Sequence, residues 1–337
     1  MSEHPTKDAG ELAERGPEGV LVVDKPAGPT SHDVVDRVRR LYGTSKVGHA
    51  GTLDPAATGV LVLGLGRATR LMAFLQQLPK VYRAEVRFGV TTTTQDAEGD
   101  VVDERPCEFG PEELESAASS FVGEIVQLPP MASAVKVGGE PLYRAQRRGE
   151  EVERPTRTVR IYELRVERFD PHAPGEPNGP AAVLLVRCST GTYVRTLAAD
   201  LGERLGCGAH VGALRRLASG SFTEVEAAGL DRLEALSADE RRGQLMSMRR
   251  AMRDFPAITV DGDDLRAVRN GQPIAGGAPP QRAGELSVLS RPRMGDVAPH
   301  EVGMTAGIPV GVLDPEGHLI AVYRRSRAGL RPAAVFP

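Results

Sequence analysis

Val60 to Leu65 (VLVLGL) is an almost unbroken apolar run. A short run of this kind bounded by turn residues reads as a buried strand, and it commits the chain to a sheet that must be covered. What precedes it is SKVGHAGTLDPAATG, a glycine-spaced loop whose one acid is Asp54. Asp-Pro pairs initiate turns, and Pro55 biases the backbone before it toward extended forms. The bland account of Asp54 is therefore a turn residue. Gly48 and Gly51 permit the dihedrals of a loop that approaches a ligand closely, but many ordinary loops have such glycines. Spacing alone favours the turn and leaves a carboxylate at the doorstep of a buried strand unexplained.

The rest of the chain alternates strand and helix patterns. VLVVD (Val20 to Asp24) is a strand leading into the turn KPAGPTS, where Thr30 or Ser31 can cap a helix carrying Val34, Val35, Val38 and Leu41. A helix with Leu71, Leu75 and Leu78 follows the apolar run. VYRAEVRFG alternates, with Tyr82, Ala84, Val86 and Phe88 on one face and Arg83, Glu85 and Arg87 on the other. A helix over 111–122 bears Leu114, Ala117, Ala118 and Phe121, with Pro111 at a tolerated early position. Residues 129–160 are loop-like and rich in arginine; strands are expected at 160–169 and 182–188. STGTYVRTLAADLGERLG reads as turn, short strand and helix. Composition shifts again near 250–256. The remainder is short β-type pieces, including VLDPEGHLIAVY with a DPEG hairpin turn, interrupted by a Gly/Pro-rich loop at 275–307. This predicts a small all-β domain at 256–337. Residues 1–19 lack periodicity and are expected to form a disordered tail.

Composition removes several classes. A chain of 337 residues with 40% hydrophobic and 26% charged residues can bury a sizeable core and suggests two domains. No apolar stretch approaches a membrane span, and the polar start is unlike a signal sequence. Cys107, Cys188 and Cys207 have no CxxC spacing, which points to a reducing cytoplasm rather than a disulfide framework or zinc site. GLGRAT (64–69) lacks the third glycine of a dinucleotide loop, and GxxxxGK[ST] and HExxH are absent. Any chemistry must therefore use side chains alone. The net charge of −3 does not exclude a nucleic-acid partner, because local basic surface does the binding. Of the 42 basic residues 37 are arginines, suited to bidentate phosphate contacts, although codon bias gives the same count.

Taken singly, the candidate residues are weak. Tyr82 faces the apolar side of its strand and would serve as a core tyrosine whose hydroxyl needs a partner. Arg195 stands at a strand-to-helix junction, Lys25 beside Pro26, and His49 in a loop; each has an ordinary surface or turn explanation.

Together, VDKPAGPTSHDVV, KVGHAGTLDPAATGVLVLGLGRATRL, KVYRAEVRFG and CSTGTYVRTLAADLGERLGCGAHVGALRRL occur in an order that resembles the bacterial tRNA pseudouridine(55) synthases, the TruB family. The resemblance spans about 20–225, and the C-terminal segment is similar to that family's small PUA RNA-binding domain. It implies an α+β fold. The catalytic domain, 20–250, would have a mixed, largely antiparallel sheet flanked by helices, and an all-β PUA-like domain would follow at 256–337. It further implies that a uridine in the T-loop of tRNA is flipped out, cleaved from its ribose and rejoined through C5, without cofactor or metal.

On this resemblance Asp54 matches the nucleophilic aspartate, and Arg195 the arginine that pairs with it. Tyr82 matches the tyrosine that stacks on the uracil. His49 is similar to the histidine that helps the uridine swing out, and Tyr193 and Leu214 match positions lining the nucleotide pocket. Lys25 looks like the lysine of a KP motif that supports the cleft. The stretch 129–156 resembles an insertion that closes over the T-arm. Six arginines, Arg144, Arg147, Arg148, Arg154, Arg157 and Arg160, stand there and just beyond against three acids, and Arg144, Arg147 and Arg148 are the expected phosphate contacts. The family also implies a cytoplasmic monomer with no obligatory protein partner. An RNA-guided synthase of the dyskerin type shares the aspartate motif, but the 129–156 insertion argues against it. A tRNA-folding chaperone with secondary catalysis is the alternative from another class.

Overall fold

The computed structural model describes residues 16–131, 133, 136–141, 148, 150, 152–173, 179–275, 307–326 and 329–336. Residues 1–15 of the expected tail, Arg144 and Arg147, and 276–306 of the Gly/Pro-rich loop lie outside them. In chain order the strands and helices begin with β1 (Gly19–Lys25), α1 (Ser31–Tyr42), β2 (Val47–His49), β3 (Thr58–Leu65), α2 (Met72–Leu75), β4 (Lys80–Phe88), β5 (Val90–Thr92) and β6 (Val101–Glu104). Then come α3 (Pro111–Ser119), β7 (Gly123–Gln127), β8 (Lys136–Val137), β9 (Glu140–Pro141), β10 (Arg157–Ala173), β11 (Gly179–Cys188), α4 (Val194–Arg204), β12 (Ala209–Ser219), β13 (Phe222–Thr223) and β14 (Ala228–Gly229). The chain closes with α5 (Leu230–Ala235), α6 (Ala238–Gly243), α7 (Met248–Ala251), β15 (Ala257–Thr259), α8 (Gly262–Arg269), β16 (Pro309–Leu313), β17 (Leu319–Ser326) and β18 (Gly329–Val335). The architecture is α+β. Among the described residues no helix is long and apolar enough to cross a membrane.

The chain divides into two compact units. One comprises 1–55, 59–78 and 219–337, the other 56–58 and 79–218. In the first, β1 runs antiparallel to β3 and parallel to β14, and β2 pairs antiparallel with β3. The apolar run is buried along its whole length, from Gly59 to Leu65. Gly64 in its middle has a packing reason: a Cβ there would stand 2.7 Å from the Ala68 carbonyl oxygen and 2.7 Å from the Met72 methyl. Residues 66–78 fold back as a 3₁₀ turn, Gly66–Leu71, and the single-turn helix α2, where the leucine spacing had suggested one longer helix.

The four-stranded sheet β15-β16-β17-β18 belongs to the same unit. Leu313, Leu319, Val322 and Phe336 share a core with Val20, Val22, Val60, Val62 and Phe74, whereas Val312, Ala321 and Tyr323 pack with Val268 and Ile274. The DPEG turn is present, with the Gly317 N–H donating to the Asp314 carbonyl at 2.9 Å. One helix stands where only strands were expected: α8, whose Val268 is fully buried while Leu265 packs on the same core. Two apolar residues three apart are a helical signal too short to register against the surrounding Asp and Arg.

The second unit orders its strands β12-β4-β11-β10-β7, with β4, β11, β10 and β7 antiparallel in turn. Residues Ala84, Val86 and Phe88 of β4 share a core with Leu114 and Ala118 of α3 and with Leu197 and Leu201 of α4. The strands β10 and β11 outrun the expected 160–169 and 182–188 because they continue past the apolar residues as a polar two-stranded extension to Ala173↔Gly179. The short strand expected between β11 and α4 is not formed; Tyr193 is the N-cap residue of α4. All three cysteines are free, and burial pushes the Cys188 thiol up to about 12, an inert core position.

Candidate active site

In the first unit the Asp54 loop is built from hydrogen bonds that its sequence does not announce. Lys25, at the end of β1, is completely buried, and its ammonium donates to the carbonyl oxygens of Pro26 at 2.9 Å and Pro55 at 3.0 Å. A cation taken out of water needs such acceptors. The Gly28 N–H donates to the same Pro55 carbonyl at 2.9 Å. Thr30, not Ser31, caps α1: its hydroxyl accepts from the Asp33 N–H, and the Asp33 carboxylate accepts from the Thr30 N–H at 2.8 Å. Ser31 is thereby left for another use. Its hydroxyl accepts from the Leu53 N–H at 2.8 Å and donates to the Leu53 carbonyl at 3.0 Å.

Asp54 sits half-buried between buried Leu53 and exposed Pro55. Gly51 has φ +115°, a region closed to most side chains, while Gly48 does not share it and pairs in register with Gly64 on β3. His49 ends β2 opposite Leu63 and is half-buried. Lys25 and the Asp54 loop are thus brought together directly, and His49 opens the loop that leads to them.

In the second unit Tyr82 is half-buried on β4, opposite Val186 of β11; it and Leu214 of β12 each pack against the unit's core. Arg195, one residue into α4, is only 5% exposed. Its guanidinium donates to the Thr94 carbonyl at 2.8 Å and to the Asp96 carboxylate at 3.1 Å. Asp96 is held in turn by the Glu98 N–H at 3.1 Å and the Thr94 hydroxyl. Tyr193 is clamped by Gln127 of β7: its N–H donates to the Gln127 Oε1 at 3.0 Å and its carbonyl accepts from Nε2 at 3.1 Å. The Arg157 guanidinium lies over the Tyr193 ring, 5.2 Å from its centroid. Arg148 is exposed and bonds the Glu150 carboxylate twice, at 2.8 Å, holding that carboxyl below its usual range.

The first unit thus carries a carboxylate on an anchored loop, and the second a buried guanidinium and a sheet-borne aromatic. One described group of side chains has the spacing of metal ligands, Asp314, Glu316 and His318 on the β16–β17 turn. Its internal bond, from the His318 N–H to Asp314 Oδ1 at 2.7 Å, accounts for it as turn structure.

Comparison with known proteins decides the family. The N-terminal domain model of the TruB family pseudouridylate synthases matches residues 39–194, and the C-terminal domain model of tRNA pseudouridylate synthase B matches 195–255. The tRNA pseudouridine synthase B of Syntrophotalea carbinolica is 46% identical over 256 residues, 76% of this chain and 81% of that protein. The chain belongs to the TruB family. The tRNA pseudouridine synthase B of Thermobifida fusca is 41% identical over 323 residues, 95% of this TruB-family chain and 98% of its relative. Among solved structures, the archaeal box H/ACA Nop10–Cbf5 complex contains a chain at TM-score 0.67 and 24% identity, covering 97% of this chain and 88% of that one, a likeness of fold.

Sequence reasoning passed over Asp96, Gln127 and Ser31. Asp96 lies in TTTTQDAEGD, a run of turn-forming residues with no periodicity, and its partner Arg195 is 99 positions away. Gln127 is the sole buried amide of an otherwise ordinary strand end, and Ser31 looked like an alternative cap. A completely buried lysine within reach of the Asp54 loop is the clearest structural sign of a built site.

Proposed function

We propose that this chain isomerises uridine 55 in the T-loop of tRNA to pseudouridine, with Asp54 as nucleophile. The observation that carries the reading is the anchored Asp54 loop in a member of this family, whose curated relatives are named tRNA pseudouridine synthase B. The reaction conserves atoms. The bond between ribose C1′ and uracil N1 breaks, a bond from C1′ to C5 forms, the C5 proton leaves and N1 takes one up. A carboxylate can start this only if it is ionised and held against the substrate. A base inside a folded RNA must first leave its stack. His49 assists that movement, Tyr82 offers an aromatic platform, and Tyr193 and Leu214 line the pocket. Arg195, its guanidinium fixed by Asp96, is the candidate for the arginine that the family pairs with its aspartate.

RNA is bound mainly through shape and phosphates. Arg144, Arg147 and Arg148 provide phosphate contacts, and the C-terminal sheet serves as a PUA-like RNA-binding module. The enzyme works in the cytoplasm as a monomer, without guide RNA, protein partner, cofactor or metal. The test is a bare T-arm transcript carrying tritium at uridine C5. Release of tritium to water by the purified chain is expected, and a requirement for guide RNA or a partner would overturn the reading. Asp54→Asn should abolish release while leaving tRNA affinity largely intact.

A further inference from the structure

We propose that Ser31 is a positioning residue for Asp54, an inference that rests on the nucleophile reading above. Four hydrogen bonds bracket the aspartate without touching its carboxylate. On its N-terminal side, the single hydroxyl of Ser31 serves both backbone groups of Leu53, accepting at 2.8 Å and donating at 3.0 Å. The Leu53 carbonyl lies in the peptide plane that ends at the Asp54 nitrogen, so this clamp fixes the plane from which Asp54 departs. On the C-terminal side, Pro55 has its φ locked by the ring and restricts the backbone of the residue before it. The Pro55 carbonyl is held by Lys25 at 3.0 Å and by the Gly28 N–H at 2.9 Å.

Asp54 is thus a short link between two fixed points. Ser31 is 2% exposed and sits at the first position of α1, which is itself pinned by the Thr30–Asp33 capping box. The clamp therefore transmits the rigidity of a helix to a loop. Because α1 is already capped by Thr30, the Ser31 hydroxyl is not needed to start the helix. Its buried position also keeps it from contributing contacts to RNA.

Removing the hydroxyl should loosen the N-terminal anchor and let the carboxylate drift from its attack geometry. A misplacement of about 1 Å is enough to slow an oriented reaction roughly 100-fold. In the full chain with enzyme in excess over C5-tritiated T-arm transcript, Ser31→Ala is expected to lower the single-turnover rate constant about 10- to 100-fold. The Kd for the transcript should stay within about twofold, since the phosphate contacts are elsewhere. A purely structural role would lower the folded fraction, and with it the effective enzyme concentration, but not the saturated rate constant. A wild-type rate constant in Ser31→Ala, or a loss that follows Kd, overturns the proposal. Where Ser31→Ala does not fold, Ser31→Cys, close in volume but with only a weak thiol donor, is measured against the same criteria. Asp54→Asn in the same assay separates the two levels. If that variant turns over, the nucleophile reading fails; if it is dead while the Ser31 variant runs at full rate, only the positioning role fails.

Discussion

Tyr82 is where two accounts of one residue can be told apart. It alternates in register with buried Ala84, Val86 and Phe88, so its ring belongs to the apolar side of β4, yet it remains half-buried where Ala84 and Val86 are fully covered. A ring with a packed edge and an accessible remainder is suited to receive a base, and a sheet holds it rigidly. Tyr82→Leu fills a similar apolar space without an aromatic face, so it should fold normally and lose most of its activity. Tyr82→Phe keeps the face and removes only the hydroxyl. The expected result is near-wild-type transcript binding with a slowed step after glycosidic cleavage, read by separating tritium release from base detachment in single-turnover experiments. A wild-type rate in Tyr82→Phe would show that the hydroxyl takes no part in removing the C5 proton. A Tyr82→Leu protein that melts far below wild type at unchanged specific activity would make the tyrosine a core residue only.

At the level of elements, the start of α4 depends on a strand far away in sequence. Tyr193, its N-cap residue, makes no side-chain cap, and the helix entry is held instead by Gln127, which bonds both Tyr193 backbone groups across 66 positions. The Tyr193 carbonyl also accepts from the Leu197 N–H at 3.0 Å, so Gln127→Leu would orphan the N–H alone. A buried donor left without a partner costs about 1–3 kcal/mol, which should appear as a lower midpoint in urea at unchanged slope. Activity should fall as well, since Arg195 follows two residues later. The same clamp explains why this boundary was misread: Tyr193 and Val194 favour strands locally, and only a tertiary contact makes them a helix entry. Elements with local causes were legible, as in the alternation of β4, the apolar runs of β1 and β3, and the Thr30 cap. Asp54 and Arg195 stand out as candidates only through the ordered motifs around them, by family resemblance. Asp96, Gln127 and Ser31 were not, because their roles consist of hydrogen bonds to residues 22 to 99 positions away.

Across the whole molecule the formal charge is −3, an unpromising total for a protein that must hold a polyanion. Many of the described arginines are engaged internally: Arg37 with Glu234, Arg67 with Glu18, Arg105 with Glu203 and Arg253 with Glu226. Such pairs fasten elements together and leave little net charge for a ligand. Arg148 differs in kind. Its bond to Glu150 is local and exposed on both sides, with side chains 45% and 52% accessible, and solvent screens such a pair heavily. A phosphate can therefore displace Glu150 at little expense. If the 143–160 stretch is the phosphate clamp, affinity for the T-arm must fall as salt rises, because each neutralised phosphate releases counterions. Titration of a labelled transcript between about 50 and 200 mM salt should give a clearly negative slope of log affinity against log salt. Arg147→Ala with Arg148→Ala should make that slope shallower by about one to two units, at an unchanged single-turnover rate constant when enzyme is saturating. A flat dependence in the wild-type chain would remove the clamp from this segment, and an unchanged slope in the double variant would place the phosphate contacts on other arginines.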